Sequence, residues 1–214
     1  MGRIRVWREE EAGDFLREVR GLLLAGGLVA LPTETFYALA AYPFEEKSLV
    51  RLFSLKARPP AKPLLVLVSA PEMLPQVAGD VPEAGVRLMA RFWPGPLTLI
   101  LPARPGLPAL LTGGTGTIGV RQSRQPVTSR LVASLGFPVT GTSANRSWEP
   151  PLSDAREVAR ELGAGVDLIL DAGPCPGGLA STIVDITAVP PRLVRAGAVP
   201  LARLLEVVPE IVLR

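Results

Sequence analysis

Apolar positions along the chain follow two different periods. Phe15, Val19, Leu22 and Leu23 recur at the three-to-four spacing of a helix, and Gly26-Gly27 follows as its stop. Residues 28–31 are instead a continuous apolar run of strand length that closes at Pro32. The alternation continues with a helix around Leu49, Leu52 and Phe53, ending near Lys56 ahead of Pro59-Pro60, and then a strand over 64–68. The pattern predicts a helix over 82–93 and, after the Trp93-Pro94-Gly95-Pro96 turn, a strand over 97–101. Further strands are predicted over 117–121, 139–141, 168–170, 182–186 and 192–194. Asp154 with Glu157 three residues on has the capping-box pattern, opening a helix that closes at Gly163, and a last helix is expected from Leu201.

Strands that are apolar throughout, alternating with helices, predict an α/β protein with a sheet buried on both faces. The spacing departs from regular βαβ units, so the expectation is one twisted, mixed β-sheet with flanking helices. No repeat, low-complexity tract or composition break divides the chain, and residues 1–214 are expected to form a single domain with a substantial core. Hydrophobic residues at 48% and charged residues at 20% argue against disorder. With aromatics at only 5%, that core must be built from Leu, Val, Ile and Ala. The 23 prolines and 21 glycines lie between apolar runs and mark sharp turns.

Composition removes several kinds of chemistry. There is no histidine, which excludes a Ser-His-Asp triad, two-histidine zinc sites and any imidazole base; no metal-ligand set is expected. Cys175 is the only cysteine, so no intramolecular disulfide can form and a reducing cytoplasm is the expected location. The N-terminal stretch carries Arg3, Arg5, Arg8 and Glu9-Glu10-Glu11 and does not read as a signal peptide. The apolar run 22–31 is too short and too glycine-rich to span a bilayer, and a soluble protein is expected. Net charge is only +3, but its distribution is uneven. Residues 47–70 hold five cations and no acid, and residues 84–148 hold seven arginines and no acid. Folded onto one face, these segments would make a basic concave cleft for a phosphate-bearing ligand; otherwise they are solvated arginines scattered over the surface.

Four segments carry candidate chemistry. In Leu31-Pro32-Thr33-Glu34-Thr35 a strand end presents two hydroxyls and a carboxylate, either for a ligand's polar groups or as an ordinary helix cap, and an apolar turn is expected after it. Lys56-Ala57-Arg58-Pro59-Pro60-Ala61-Lys62 places three cations within seven residues on a proline-stiffened segment, suited to a triphosphate or simply to a helix C-terminus. Thr112-Gly113-Gly114-Thr115-Gly116-Thr117 leads into a strand and lacks the Gly-Lys-Ser/Thr of a P-loop, so it reads as a hairpin turn or a lid. Thr142-Ser143-Ala144-Asn145 offers a dense set of uncharged donors for phosphate or ribose oxygens, or turn chemistry alone.

Taken together and in order, these segments resemble the YrdC-like threonylcarbamoyl-AMP synthases. Phe92-Trp93-Pro94-Gly95-Pro96-Leu97-Thr98 matches that family outright, and Ser181-Thr182-Ile183-Val184-Asp185 and Arg195-Ala196-Gly197 complete the set, from about Gly26 to Gly197. The ending soon afterwards resembles the short, single-domain form. The resemblance implies a YrdC-like fold and a reaction joining L-threonine, bicarbonate and ATP, with Mg²⁺, into threonylcarbamoyl-AMP and pyrophosphate. A partner threonylcarbamoyl transferase would then modify tRNA. It also implies that Thr35, Arg121 and Ser181 bind threonine. Lys56, Arg58, Lys62, Thr117, Ser143, Asn145 and Arg195 would surround the nucleotide, with Lys56, Arg58 and Arg195 stabilising the departing pyrophosphate. The chain departs from the family at Ala38, Ala40 and Ala57, where glycines are usual, at Lys62 for an asparagine, at Leu67 and Gln125 for histidines, and at Thr142 for a proline. The alternatives are a non-catalytic double-stranded RNA- or tRNA-binding protein of the same fold, or an ATP-using paralogue with another substrate.

Overall fold

The computed structural model describes residues 3–213. Its strands divide between two sheets rather than forming the one sheet expected. The first sheet has the order β1-β9-β2-β3-β8, built from β1 (Arg3–Val6), β2 (Val29–Leu31), β3 (Ala38–Ala40), β8 (Thr142–Ser143) and β9 (Leu168–Asp171). The second has the order β12-β11-β10-β5-β6-β4-β7. It is built from β4 (Leu65–Val68), β5 (Leu97–Pro102), β6 (Thr117–Gln122), β7 (Val139–Thr140), β10 (Thr182–Asp185), β11 (Arg192–Arg195) and β12 (Val212–Leu213). Both are mixed: β4 runs parallel to β6 while β5 runs antiparallel to it, and β2 runs parallel to β9 while β3 runs antiparallel to β2.

The helices are α1 (Ala12–Leu24), α2 (Glu46–Lys56), α3 (Glu83–Phe92), α4 (Ala109–Thr112), α5 (Pro126–Leu135), α6 (Ala155–Leu162) and α7 (Leu201–Leu205). Helix α1 forms where the periodicity placed it, because Phe15, Val19 and Leu23 make one apolar stripe that is buried in the core. Asp154 does cap α6, though its carboxylate accepts from the Arg156 N–H, one residue short of Glu157. Alternate residues of the central strands of the second sheet, Val66, Leu99 and Val120, are fully buried, and each contributes about 1.5–3 kcal/mol.

Several elements lie where no strong local pattern points. The charges of 3–6 conceal an edge strand, β1, that pairs parallel with β9 in the register Arg3↔Leu168. Residues 38–40, expected as a turn, are a buried strand. Helix α5 starts at Pro126, with the Gln125 side chain accepting from the Thr128 N–H, and buries Thr128, Leu131, Val132 and Leu135. The glycine-rich segment follows α4 and enters β6, with Gly113, Gly114 and Gly116 all at positive φ. It is therefore the end of a long β5–β6 connection that contains its own helical turn. The C-terminal helix is short and is followed by β12. Among the described residues no helix is long and apolar enough to cross a membrane.

Candidate functional site

A cleft of about 800 Å³ opens between the two sheets. Its floor is one face of the second sheet. Side chains alternate across a strand, so Thr98 and Ile100 of β5, Thr117, Gly119 and Arg121 of β6, and Ile183 of β10 all face the cleft. The residues between them, Leu99, Ile118, Val120 and Val184, are fully buried on the other side. The opposite wall comes from Thr33 to Ala38 and from Thr142, Ser143 and Asn145. All the candidate residues line this cleft except Lys56.

At one end the strand terminus of β2 meets β6. Thr33 and Thr35 place their hydroxyls 3.1 Å apart, and the Arg121 guanidinium donates to the Thr35 hydroxyl at 3.3 Å. The same Arg121 nitrogen lies 2.7 Å from Glu34, whose second carboxylate oxygen accepts from the Ser123 hydroxyl. Burial alone would raise the Glu34 carboxyl, but the Arg121 charge and the hydrogen bonds from Ser123 and Arg121 hold it below the usual carboxylate range. The Nε of Arg121 is buried and has no partner, leaving a donor free for a ligand.

Ser181 joins this end from just ahead of β10. Its hydroxyl lies 2.9 Å from that of Thr98, and its carbonyl accepts from the Arg195 guanidinium at 2.7 and 3.1 Å. The Arg195–Ala196–Gly197 turn reaches that position because position 197 has no side chain: a Cβ there would lie 2.3 Å from the Ala180 carbonyl oxygen. Arg195 therefore stands with Ser181 at the cleft rim, and burial together with the nearby Arg121 charge lowers its proton affinity.

The other end gathers Arg58, Lys62, Ser143, Asn145 and Glu149. Arg58 is held by the carbonyls of Lys62 and Pro63 at 3.2 and 2.7 Å, with no acid. Lys56 lies behind this wall, 1% exposed. Its ammonium donates to the backbone carbonyls of Ser143 and Asn145 and lies 3.3 Å from the Asn145 side-chain oxygen. Burial first and the Arg58 charge second push Lys56 down to about 7. The Lys56 carbonyl in turn accepts from the Ser147 N–H at 2.8 Å, so Lys56 clasps the whole 143–147 segment.

Other placements bear on the departures noted above. Leu67 pairs with Arg121 in the β4–β6 register but is 1% exposed, and a Cβ on Gly141 would meet its Cγ at 2.6 Å. Gly141, not Leu67, is the cleft surface there. Gln125 is a helix cap. Lys62 rests its ammonium 3.6 Å from the centroid of the Trp148 ring. Thr98, Gly119 and Glu149 line the cleft without having been singled out; for Thr98, the strand period over 97–101 was the available signal. The acid-free stretches are partly neutralised by acids from elsewhere, through Arg51–Asp167, Arg87–Glu210 and Arg130–Glu9. Arg58, Lys62, Arg121 and Arg195 remain at the cleft.

A family model for Sua5/YciO/YrdC proteins, described as telomere recombination, matches residues 21–197. A threonylcarbamoyl-AMP synthase of Pyrococcus abyssi is 37% identical over 98% of this chain and 59% of its own length. One of Bacillus subtilis is 35% identical over 86% of this chain and 54% of its own. This chain thus spans little more than half the length of these relatives. The crystal structure of Pyrococcus abyssi Sua5 complexed with L-threonine superposes with a TM-score of 0.93 and 36% identity, covering 100% of this chain and 62% of that one.

Proposed function

The chain belongs to the Sua5/YciO/YrdC family, and from that premise we propose that it joins L-threonine, bicarbonate and ATP into threonylcarbamoyl-AMP with release of pyrophosphate. The observation that carries the reading is one cleft with two kinds of end. An unpartnered Arg121 Nε beside Thr35 and Ser181 fits an amino acid, and Arg58 and Lys62, neither of them in an ion pair among the described residues, beside Ser143 and Asn145 fit a polyphosphate.

The chemistry suits a site without histidine. The threonine amine bonds to the bicarbonate carbon as a C–O bond breaks and water leaves, giving a carbamate, and an already anionic carbamate oxygen attacks the α-phosphorus while the bond to pyrophosphate breaks. Little proton transfer is needed at that step, and positioning and charge neutralisation do most of the work. Arg121 orients the threonine carboxylate through its free donor, with Thr35 and Ser181 beside it. Arg58 and Lys62 neutralise the polyphosphate, Arg195 meets it from the Ser181 end of the cleft, and Thr117, Ser143 and Asn145 supply uncharged donors. Lys56 acts through the 143–147 segment that it clasps. The described residues hold no cluster of acids for a metal, so Mg²⁺ would enter already bound to ATP's phosphates. Downstream, a threonylcarbamoyl transferase would pass the group to tRNA in the cytoplasm, and residues 1–214 would serve as one synthase domain.

The test is pyrophosphate release from ATP, bicarbonate and Mg²⁺ with L-threonine, L-serine or no amino acid. Release that requires threonine is expected. ATP binding with no release from any amino acid would overturn the reading in favour of a binding protein on this fold.

A further inference from the structure

Among the three tryptophans, Trp7 and Trp93 are half-buried, whereas Trp148 is 81% exposed. Its backbone lies at φ 78, in the left-handed region where a bulky side chain is strained. Such a residue persists only when its surroundings hold it, and here they do. The Ser147 N–H is fixed to the Lys56 carbonyl, the Asn145 amide donates to the Glu149 carbonyl, and the Glu149 N–H donates to the Arg146 carbonyl. The segment thus presents a large flat apolar surface to solvent at the cleft rim, with Glu149 of the same segment lining the cleft. One face of the ring carries the Lys62 ammonium, 3.6 Å from its centroid, and Lys62 also lines the cleft.

We propose that Trp148 is the nucleobase-stacking residue of this cleft, with the base taking the indole face that Lys62 covers in this structure. The proposal rests on the nucleotide reading given above. A polyphosphate needs cations, and Arg58 and Lys62 supply them; a base needs an accessible flat apolar face. Of the other aromatic residues at the cleft, Tyr37 is fully buried and Phe36 belongs to the Thr33–Thr35 wall. A stacked base displaces the ammonium from the ring, and Lys62 then turns to the phosphate oxygens of the same ligand. One ligand therefore uses both members of the pair, and an ammonium–indole contact is exchanged for a base–indole stack and an ammonium–phosphate pair.

The test compares the natural protein with Trp148→Gly, Trp148→Phe and Lys62→Ala, each titrated calorimetrically with ATP and with inorganic tripolyphosphate. Acrylamide quenching of tryptophan emission is followed in parallel. ATP is expected to shield the exposed tryptophan of the natural protein from acrylamide. Trp148→Gly should weaken ATP about tenfold, the low end of what base–aromatic stacking supplies, and leave tripolyphosphate within about twofold. Trp148→Phe should stay near the natural protein, and Lys62→Ala should weaken both ligands. Glycine accepts φ 78 without strain, so the Tm of Trp148→Gly should be unchanged or higher. ATP binding that Trp148→Gly leaves intact, or an equal loss of both ligands with a lowered Tm, would overturn stacking while the nucleotide reading stands. No ATP binding by the natural protein would overturn that reading and the stacking with it.

Discussion

Ala57 ends α2 with φ 48 and ψ 44, a left-handed conformation that its Cβ disfavours by about 1–2 kcal/mol. Glycine at that position would relieve the strain, less about 0.4–1 kcal/mol for its greater freedom when unfolded. Ala57→Gly is therefore expected to stabilise the protein by about 0.5–1 kcal/mol, read as a higher urea midpoint with an unchanged slope. Glu34 makes the opposite kind of prediction. Its side chain and that of Arg121 are both almost wholly buried, and removing one charge strands the other. Glu34→Gln should cost about 3 kcal/mol at neutral pH. The folded-state pKa of Glu34 lies below its ordinary value of 4.5, so the unfolded chain binds the proton first as pH falls. The stability that Glu34 contributes is complete above 4.5 and is lost as the pH drops through the folded-state value. Denaturation curves of Glu34→Gln should accordingly show a shallower acid limb than those of the natural protein.

At the scale of elements, the last residue of α2 organises a loop that follows β8. Lys56 spends its ammonium on the carbonyls of Ser143 and Asn145, so Lys56→Met would leave buried acceptors unpaired at a cost of about 1–3 kcal/mol. The loop should loosen first, seen as faster hydrogen exchange across 143–149 and weaker ATP binding. The pH dependence has a definite sign. With a folded pKa of about 7 against 10.5 for an ordinary lysine, the unfolded chain keeps a proton that the folded chain has released across that window. Stability therefore rises with pH between them, and the rise should vanish in Lys56→Met. The pleat of the second sheet is the other element-scale device. It sends Thr98, Gly119, Arg121 and Ile183 to the cleft and Leu99, Val120 and Val184 to the core, so a floor that mixes polar and apolar side chains and a wholly apolar underside come from the same strands.

Across the whole molecule, the cleft draws its lining from both sheets, and its two ends draw on different parts of the chain. Arg121→Lys, which keeps a cation beside Glu34 but loses the free Nε donor, should raise the KM for threonine by about tenfold or more, from the loss of a charged hydrogen bond of about 1.5–3 kcal/mol, with ATP affinity nearly unchanged. Arg58→Ala should show the reverse in the same pyrophosphate-release assay. A parallel loss of both affinities in either variant would mean that the cleft is a single undivided pocket. The pairing of Arg51, Arg87 and Arg130 with acids distant in sequence also belongs to this scale, as does the placing of Arg58, Lys62 and Arg195 at the cleft.

Local signals determined much of this. Buried strands such as β2 and β4 were legible because each is an unbroken apolar run, α1 because its stripe repeats every three to four residues, and the candidate residues because their motifs are contiguous. Strand β1 and helix α5 were not legible: one is a charged edge, and the other is defined by a proline start and by a face that only packing makes apolar. The division into two sheets was equally invisible, since it depends on pairings such as β1 with β9 across most of the chain. Tertiary structure alone decided where the motif side chains point. Lys56 faces carbonyls 87 and 89 residues away, Arg121 meets a hydroxyl 86 residues away, and Leu67 is covered by Gly141. A sequence window carries the preferences of its own backbone and side chains, but the partner that satisfies a buried donor or fills a contact arrives only when distant segments fold together.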